Sequence, residues 1–368
     1  MPTGDSRVMV AMSGGVDSSV TAALLKNGGY QVAGVTMIVH PDGNKTARDA
    51  ARVAEKLGIP HHIFDFRDVF TRDVITDFCR EYGAGRTPNP CARCNRYIKF
   101  GALLDKAREM GADFMATGHY ARVDRDTSGQ RYRLKKGANG FKDQSYFLYA
   151  LTQEQLGAAL FPVGGLTKSR VRELAAEMGL TAADRPESQE ICFIPDDDYA
   201  GFLRSHIPEA AEPGPILDEE DNALGTHNGI MAYTIGQRKG LGIAAATPRY
   251  VTSIEPSRNA IIVGNKAQVY SRELTATGLN WIAADGLERS AILNAKIRYQ
   301  RPEAAAEVTP LPGGNVYVKF SEPQFAVTPG QAIVFYDEDT VIGGGIIEKV
   351  IRTAVTDKAG LLGQRGKI

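Results

Sequence analysis

Residues 8–18 read Val-Met-Val-Ala-Met-Ser-Gly-Gly-Val-Asp-Ser, so a short apolar run passes through a glycine-rich turn into a new pattern. An apolar run of this length is typical of a strand that is buried on both faces. Beyond the turn, Val16, Val20 and Leu24 recur every four residues, which predicts a helix that ends at Gly28. A strand that leads through glycines into a helix is the opening unit of an α/β fold.

The same alternation of strands and helices continues through the first half of the chain. Thr46 and Thr167 each stand at the start of an apolar helical pattern, as helix caps do. We predict strands at 32–39, 61–66 and 113–117 and helices at 46–57, 97–110 and 167–178. Strands and helices that alternate in this way form a doubly wound parallel sheet with helices on both faces.

The composition changes between residues 195 and 215, where prolines and acidic side chains cluster as they do at domain boundaries. The sequence beyond shows no long helical pattern. Alternating apolar strands at 295–299, 316–320, 332–336 and 341–347 predict an all-β module, a small barrel. We predict an α/β domain over 1–200, a small central β-rich domain over 201–266, a C-terminal β-barrel over 267–356 and a tail over 357–368.

The overall composition excludes a strong general attraction to nucleic acid or membrane, because 43 Lys and Arg balance 43 Asp and Glu in a chain of 368 residues. No apolar run reaches the roughly 18 residues that a membrane-spanning helix needs, and no secretory signal precedes the first strand. We therefore expect a cytoplasmic protein without membrane contact. The stretch 122–136 is rich in arginine and lysine, and it reads either as a solvated hairpin or as a local patch for an acidic partner.

The glycine turn has the chemistry of a phosphate site. Adjacent glycines let several backbone N–H groups point toward one place, and the following helix adds the partial positive charge of its N-terminus. Ser13 and Ser18 can donate hydroxyl protons. Asp17 is an anion at a site for anions, and a Mg²⁺ ion between its carboxylate and the phosphates would remove the conflict. The Gly-Lys-Ser/Thr of a Walker loop is missing, and a plain strand–helix turn is the alternative.

The four cysteines, Cys79, Cys91, Cys94 and Cys192, are too few for a disulfide scaffold. Cys91 and Cys94 form a C-x-x-C pair, but a zinc site needs about four ligands and the sequence holds no second pair. Thiolate chemistry fits better, because neighbouring arginines and a helix that starts at residue 97 should lower the pKa of these thiols. Two inert cysteines are the alternative. Cys192 stands between Ile and Phe, where a lone cysteine is ordinarily part of the core.

The hexapeptide 13–18 resembles the PP-loop of the ATP pyrophosphatases, which adenylate an oxygen of their substrate and release pyrophosphate. Further motifs resemble, in order, those of the tRNA-specific 2-thiouridylases, over roughly residues 7–345. These motifs are Thr87-Pro-Asn-Pro90, Cys94-Asn95, Lys99-Phe100, Thr117-Gly-His-Tyr120, Lys142-Asp-Gln-Ser-Tyr146, Ser188-Gln-Glu-Ile-Cys-Phe193 and Gly236-Gln-Arg-Lys-Gly240. The resemblance implies an adenine nucleotide alpha hydrolase-like PP-loop domain that binds ATP, a central domain that contacts tRNA, and a C-terminal β-barrel.

The resemblance also implies roles for single residues. Cys94 is similar to the catalytic cysteine of that family, and Cys192 to the cysteine that carries the incoming sulfur as a persulfide. The residues implied to bind ATP are Ala11, Met12, Ser13, Gly14, Gly15, Val16, Asp17, Ser18, Met37 and Gly118. Those implied to meet tRNA are Asn89, Pro90, Cys91, His119, Lys142, Asp143, Gln144, Arg298, Tyr299 and Gln331.

The activity implied is that of a tRNA-uridine 2-sulfurtransferase that uses ATP and Mg²⁺. O2 of the wobble uridine, position 34, is adenylated, and sulfur from the persulfide of a donor protein then gives 2-thiouridine, AMP and pyrophosphate. Either the Cys192 persulfide attacks the base directly, or Cys94 releases sulfide from it and leaves a Cys94–Cys192 disulfide, which is the route we favour. The enzyme is expected to be a monomer.

Two departures from the family pattern stand out. Many relatives have Asp where this chain has Cys91, and many carry a longer segment after the strand that holds Met37. Two other functional classes stay open from the sequence. A PP-loop synthetase for a small molecule would release pyrophosphate without tRNA and would need no cysteine. A tRNA-binding or sulfur-carrier protein with a non-catalytic loop would turn over no ATP.

Overall fold

The computed structural model describes residues 5–40, 43–180, 191–194 and 198–352 of the chain. The tail predicted over 357–368 and the 188–190 part of the last cysteine motif lie outside these ranges. Across the described ranges, no helix is long and apolar enough to cross a membrane. The division of the chain at residues 200, 266 and 356 stays a prediction.

The first half of the chain forms the predicted parallel sheet. Its strands in the described residues are β1 (Arg7–Ala11), β2 (Gln31–Ile38), β3 (His61–Asp65), β4 (Phe114–Ala116) and, after a hairpin, β7 (Ala159–Leu160). They lie in the order β3-β2-β1-β4-β7, and β1 pairs in parallel with β2 on one side and β4 on the other. The carboxyl end of β1 is therefore flanked by those of both neighbours, where ligands bind in open α/β sheets.

Helices cover both faces of the sheet, as the alternating pattern predicts. Those up to residue 177 are α1 (Val16–Asn27), α2 (Asn44–Leu57), α3 (Arg67–Phe70), α4 (Thr76–Gly83), α5 (Pro90–Arg93), α6 (Leu103–Glu109), α7 (Gln153–Ala158) and α8 (Lys168–Glu177). On one face, α1, α2 and α8 pack around Val20, Val53 and Val171. On the other, α5 and α6 share a buried cluster with Met9 and Met115 of the sheet.

Two predicted helix starts are wrong. The helix expected to begin with a Thr46 cap begins at Asn44 after Gly43, and Thr46 lies inside it. The helix expected from residue 97 begins at Pro90, because the Asn89 side chain accepts a hydrogen bond from the Ala92 N–H at 3.2 Å and proline suits the first helical position. Two π-helical segments, Thr71–Ile75 and Cys94–Ala102, join α3 to α4 and α5 to α6. Both cysteines of the C-x-x-C pair are therefore helical.

Beyond α9 (Tyr199–His206), the described chain is mostly β, as predicted. A four-stranded sheet consists of β8 (Gly214–Leu217), β9 (Ala223–His227), β10 (Tyr250–Glu255) and β11 (Ala260–Gly264). The last strands described are β12 (Tyr270–Trp281), β13 (Ala291–Lys296), β14 (Ala304–Leu311), β15 (Asn315–Phe325), β16 (Ala332–Asp337) and β17 (Thr340–Ile351). These six close into a barrel, because β12 pairs with both β15 and β17. Its interior is filled by Leu274, Val318 and Phe335.

The basic stretch of the α/β domain forms a hairpin, β5 (Ala121–Arg125) and β6 (Tyr132–Lys136), that joins the barrel sheet. Leu134 of β6 lies opposite Val341 of β17 in an antiparallel pair. Most of the hairpin's cations form ion pairs with acidic side chains of the hairpin and the barrel, so they present no open basic patch. These pairs are Arg122–Asp339, Arg131–Asp285, Arg133–Asp124 and Lys136–Glu303.

Candidate active site

The glycine loop connects the carboxyl end of β1 to the N-terminus of α1. Gly14 has a φ of +69°, and a Cβ added there would lie 2.6 Å from the Cβ of Asp49, so the position requires glycine. Ser18 Oγ accepts from the Ser13 N–H at 3.2 Å and donates to the Gly15 carbonyl at 3.1 Å, which closes the loop. No side chain caps α1, so its first N–H groups can bind an anion.

Gly118 approaches this loop from the segment that follows β4. A Cβ on it would lie 2.8 Å from the backbone carbonyl carbon of Asp17 and 2.9 Å from the Ser18 nitrogen, so only glycine permits the approach. Met37 lies near the end of β2 and is half-buried. The structure therefore brings together, at one edge of the sheet, the residues that the sequence predicts for ATP: residues 11–18, Met37 and Gly118.

Asp17 is held by two side chains from distant segments. Lys168 Nζ lies 2.7 and 2.8 Å from the two carboxylate oxygens, and the Tyr120 hydroxyl donates to one of them at 2.7 Å. The Lys168 side chain is only 10% exposed. The ammonium group of Lys168 thus lies beside Asp17, where the sequence predicts Mg²⁺. In the ranges that the structure describes, no group of three or more His, Cys, Asp or Glu could hold a metal ion, and Mg²⁺ binding by Asp17 stays a prediction.

The three reactive-site cysteines come from two distant segments. Cys91 and Cys94 are three residues apart on a continuous helical segment, so they share a face. Cys94 packs in the apolar cluster that also contains Ile191 and Phe193, which places the intervening Cys192 beside it. All four cysteines of the chain lie in the described ranges and carry free thiols.

The predicted lowering of the thiol pKa values is wrong. Surrounding protein keeps water from the thiolates, which raises the pKa of Cys91 to about 11 and of Cys94 to about 12, and raises that of Cys192 as well. Cys91 and Cys192 nevertheless reach the surface, while Cys94 is half-buried. Lys99 lies five residues after Cys94 in the π-helical segment. Its positive charge attracts all three thiolates and limits the rise in their pKa values.

Two of the neighbouring arginines form ion pairs with acidic side chains. Arg86 Nε lies 2.7 Å from a Glu81 carboxylate oxygen, and Arg93 Nε lies 3.0 Å from Asp77. At neutral pH the three thiols are consequently protonated in this conformation. A thiolate for catalysis has to be generated when the substrate or the sulfur donor arrives.

His119 stands between the loop and the cysteines. Its Nδ1 lies 2.7 Å from Thr117 Oγ1, and its ring contacts Phe161 edge-on. Burial, and then the charge of Lys99, hold its pKa well below the usual value, so the imidazole is neutral at physiological pH. Because Nδ1 is bonded to Thr117 Oγ1, only Nε2 of this neutral ring remains for another partner.

Several residues predicted to meet tRNA surround the segment that leads into Cys91. Gln331 Nε2 donates to the carbonyls of Thr87 and Pro88 at 3.1 and 3.2 Å. Arg298 donates to Thr328 Oγ1 at 2.8 Å and to the Ile235 carbonyl, and burial lowers its pKa. The barrel therefore packs on the segment next to the cysteines and on the central sheet domain. The ring of Tyr299 packs at a tilt against that of Phe147, with ring centroids 4.5 Å apart.

The other predicted tRNA residues lie in the loop after the hairpin. Asp143 is 4% exposed, and its carboxylate accepts from the N–H groups of Gly137 and Ser145 and from the Ser145 hydroxyl. Gln144 exchanges hydrogen bonds with the backbone of Tyr120. Asp143 thus faces inward and ties the base of the loop, while Phe141 at its tip is 99% exposed.

The sequence interpretation gave no role to Lys168, Tyr120 or Lys99. Tyr120 and Lys99 stand inside quoted motifs, but nothing in the sequence shows what they touch. Lys168 is the first residue of α8, where the helix dipole disfavours a cation. A lysine at this unfavourable position indicates that another interaction requires it there.

Comparison with known families divides the chain into three matched parts. Residues 6–196 match the tRNA methyl transferase HUP domain, 200–265 the tRNA methyl transferase PRC-barrel domain, and 271–347 the Aminomethyltransferase beta-barrel domain. The first of these alone covers more than half of the chain.

Curated relatives match over almost their whole length. The tRNA-specific 2-thiouridylase MnmA of Heliobacterium modesticaldum is 52% identical over 92% of this chain and 92% of its own. The tRNA-specific 2-thiouridylase MnmA 1 of Caldanaerobacter subterraneus is 51% identical over 95% of this chain and 99% of its own. Among solved structures, the U34-tRNA thiolase NcsA from Methanococcus maripaludis is 18% identical, with a TM-score of 0.34 over 57% of this chain and 66% of that one, which is too distant to bear on the site.

Proposed function

The chain belongs to the family of tRNA-specific 2-thiouridylases, and we propose that it replaces O2 of uridine 34 in tRNA by sulfur at the expense of ATP. One observation carries the proposal: the fold gathers Cys91, Cys94 and Cys192 around Lys99, beside an open helix N-terminus in a glycine loop. An enzyme that only adenylates a small molecule has no use for this cluster. A sulfur carrier has no use for the loop.

The first step is activation of a poor leaving group. Uridine O2 attacks the α-phosphorus of ATP, the bond between the α-phosphorus and its bridging oxygen breaks, and pyrophosphate leaves. The N–H groups at the start of α1 stabilise the charge that develops on the phosphates. Use of ATP follows from membership of the HUP-domain family. Mg²⁺ bound with the ATP phosphates would neutralise more of their charge, and we propose no protein ligand for it at this step.

The second step exchanges oxygen for sulfur. Cys192 receives a terminal sulfur from a persulfide-bearing donor protein, and the Cys94 thiolate attacks Cys192 Sγ. The persulfide bond breaks, hydrosulfide is released, and a Cys94–Cys192 disulfide forms. Hydrosulfide adds to C2 of the adenylated uridine, and AMP departs with the former O2. A cellular thiol then reduces the disulfide and completes the cycle.

The substrate base reaches these groups from the RNA side of the site. Uridine C2 cannot be attacked while the base is stacked, so the wobble uridine is turned out of the anticodon loop into the pocket. In this proposal Asn89, Pro90 and His119 contact its edge. The bonds from Gln331 to the Thr87 and Pro88 carbonyls support the segment that carries Asn89 and Pro90. A monomer working on tRNA in the cytoplasm completes the proposal.

The test is reconstitution with purified chain, ATP, Mg²⁺, sulfide and unmodified tRNA, with 2-thiouridine measured by mass spectrometry. The wild-type chain is expected to form 2-thiouridine in a tRNA with uridine at position 34 and none when cytidine replaces it. Absence of product from the wild-type chain with its cognate tRNA contradicts the proposal.

The cysteine assignments need the physiological donor, so the same assay is run with a persulfide protein in place of sulfide. Cys94→Ser and Cys192→Ser are each expected to give no 2-thiouridine while they still bind ATP. Cys79→Ala is the matched control, because Cys79 is a buried cysteine of α4 in an apolar cluster. Thiolation at the wild-type rate in either serine variant would exclude the disulfide route.

A further inference from the structure

The ion pair inside the phosphate loop is unusual for an anion site. Asp17 is the second residue of α1, so its carboxylate lies at the helix end where the phosphates are expected. Both of its oxygens accept from Lys168 within 2.8 Å, and Tyr120 donates to one of them. The Lys168 ammonium is therefore fixed within a few ångströms of the phosphate position.

The surrounding structure fixes both partners of Asp17. Lys168 opens α8, which Thr167 caps and which packs against α1 through Val171. Tyr120 is 2% exposed, and its backbone N–H and C=O are both bonded to Gln144. The backbone positions that carry both groups are therefore fixed by the fold.

This arrangement removes the reason to place Mg²⁺ on Asp17. A carboxylate at an anion site needs a cation, and Lys168 supplies it. Mg²⁺ prefers near-octahedral oxygen ligands and usually takes one or two carboxylates with the substrate phosphates. In the part of the chain that the structure describes, Asp17 belongs to no group of three or more His, Cys, Asp or Glu side chains that could hold a metal ion. Asp17 therefore does not fit the role of metal anchor.

We propose that Lys168 binds the β- and γ-phosphates of ATP and the departing pyrophosphate, and that Asp17 is a positioning residue that holds the ammonium there with help from Tyr120. The inference rests on the proposed function, in which pyrophosphate leaves from this loop. An ammonium carries three N–H donors and can address phosphate oxygens while Asp17 orients it. The attraction between the ammonium and the leaving group increases as negative charge develops on the pyrophosphate.

The test uses inorganic pyrophosphate as the probe and isothermal titration calorimetry on the full chain, without tRNA or sulfide. In EDTA, the wild-type chain is expected to bind pyrophosphate, and Lys168→Met to bind it about 10- to 100-fold more weakly, as loss of a hydrogen bond between charged groups implies. Lys168→Arg should recover most of the affinity because it keeps the charge. Lys106→Met is the matched control, since Lys106 pairs with Glu109 on the exposed face of α6.

Titrating Mg²⁺ into Asp17→Asn distinguishes a positioning role of Asp17 from a role as a metal ligand. The Mg²⁺ midpoint for enhanced pyrophosphate binding is expected to stay within about twofold of wild type, whereas loss of a metal ligand would raise it tenfold or more. The double variant Asp17→Asn/Lys168→Met removes the pair without leaving a buried charge, and it should also bind pyrophosphate weakly. It keeps the test decisive if Lys168→Met fails to fold.

Two results overturn the inference: wild-type pyrophosphate affinity in Lys168→Met or in the double variant, or a tenfold shift of the Mg²⁺ midpoint in Asp17→Asn. Either would leave the thiolation proposal intact, because 2-thiouridine is measured separately. Conversely, a chain that shows the expected pyrophosphate pattern but forms no 2-thiouridine would contradict the proposed function alone.

Discussion

Replacing Asp143 by alanine tests whether this residue meets tRNA directly or builds the loop that does. The carboxylate is 4% exposed and accepts three hydrogen bonds, from the Gly137 N–H at 3.0 Å, the Ser145 N–H at 3.0 Å and the Ser145 hydroxyl at 2.9 Å. Bonds to a charged acceptor contribute about 1.5 kcal/mol each at the lower end, so loss of the three costs about 4.5 kcal/mol. At 2–4 °C per kcal/mol, Tm should fall by about 9–18 °C.

Asp143→Asn separates the two roles further. The amide keeps one carbonyl oxygen for the two backbone N–H donors, and its NH₂ group can donate to the Ser145 hydroxyl. The free energy of unfolding should then fall by only about 1–2 kcal/mol. Asp126→Ala is the matched control, because this carboxylate also ties a turn, through Ser128 and Gln130, but is exposed to solvent.

The assay is differential scanning calorimetry together with tRNA affinity from fluorescence anisotropy. We expect Tm and tRNA affinity to fall together in Asp143→Ala, and both to be largely restored in Asp143→Asn. An unchanged Tm with a large loss of tRNA affinity in both variants would refute the structural role. It would show instead that the carboxylate contacts the RNA.

Three further predictions concern the cysteines and the barrel contact. The rate of Cys94 alkylation by iodoacetamide, followed by mass spectrometry, should rise about tenfold per pH unit from pH 8 to 10, because the pKa of this thiol is about 12; a plateau near pH 8 would contradict this. Cys91→Ala should keep most of the thiolation activity at pH 7.5, because the proposed sulfur transfer uses only Cys94 and Cys192; a tenfold loss would establish a direct role. Gln331→Ala should raise the KM for tRNA about fivefold, as loss of about 1 kcal/mol implies, because the two bonds to Thr87 and Pro88 hold the segment before Cys91. Unchanged KM values for tRNA would exclude this supporting role.

The sequence predicts the parallel sheet and the loop at its edge because both depend on local patterns. Strand–helix alternation and the glycines of 13–18 predict β1, α1 and the loop between them without information from the rest of the chain. The barrel is likewise confirmed, because alternating strands after residue 290 leave no helical alternative. Asn89-Pro90 is a cap followed by a favourable first residue, so the true start of the cysteine helix could also have been recognised.

What the sequence does not predict depends on partners far along the chain. The arginines beside the C-x-x-C pair indicate a lowered thiol pKa, but burial by the folded chain raises the pKa of all three thiols. Asp17 and Lys168 are 151 positions apart, so their ion pair has no local signature. The same holds for Asp143, whose inward orientation depends on its bonds to the loop base and on the barrel behind it.

The sheet shared by the hairpin β5–β6 and strand β17 has a consequence for synthesis of the chain on the ribosome. β6 emerges early, but its partner β17 is the last described strand, so the edge of β6 stays open until almost the whole chain has been made. Unpaired strand edges promote self-association. A truncated chain that ends near residue 206 would expose this edge permanently and should aggregate, even though its parallel sheet is complete. The pairing of β6 with β17 thus links completion of the hairpin edge to synthesis of the barrel.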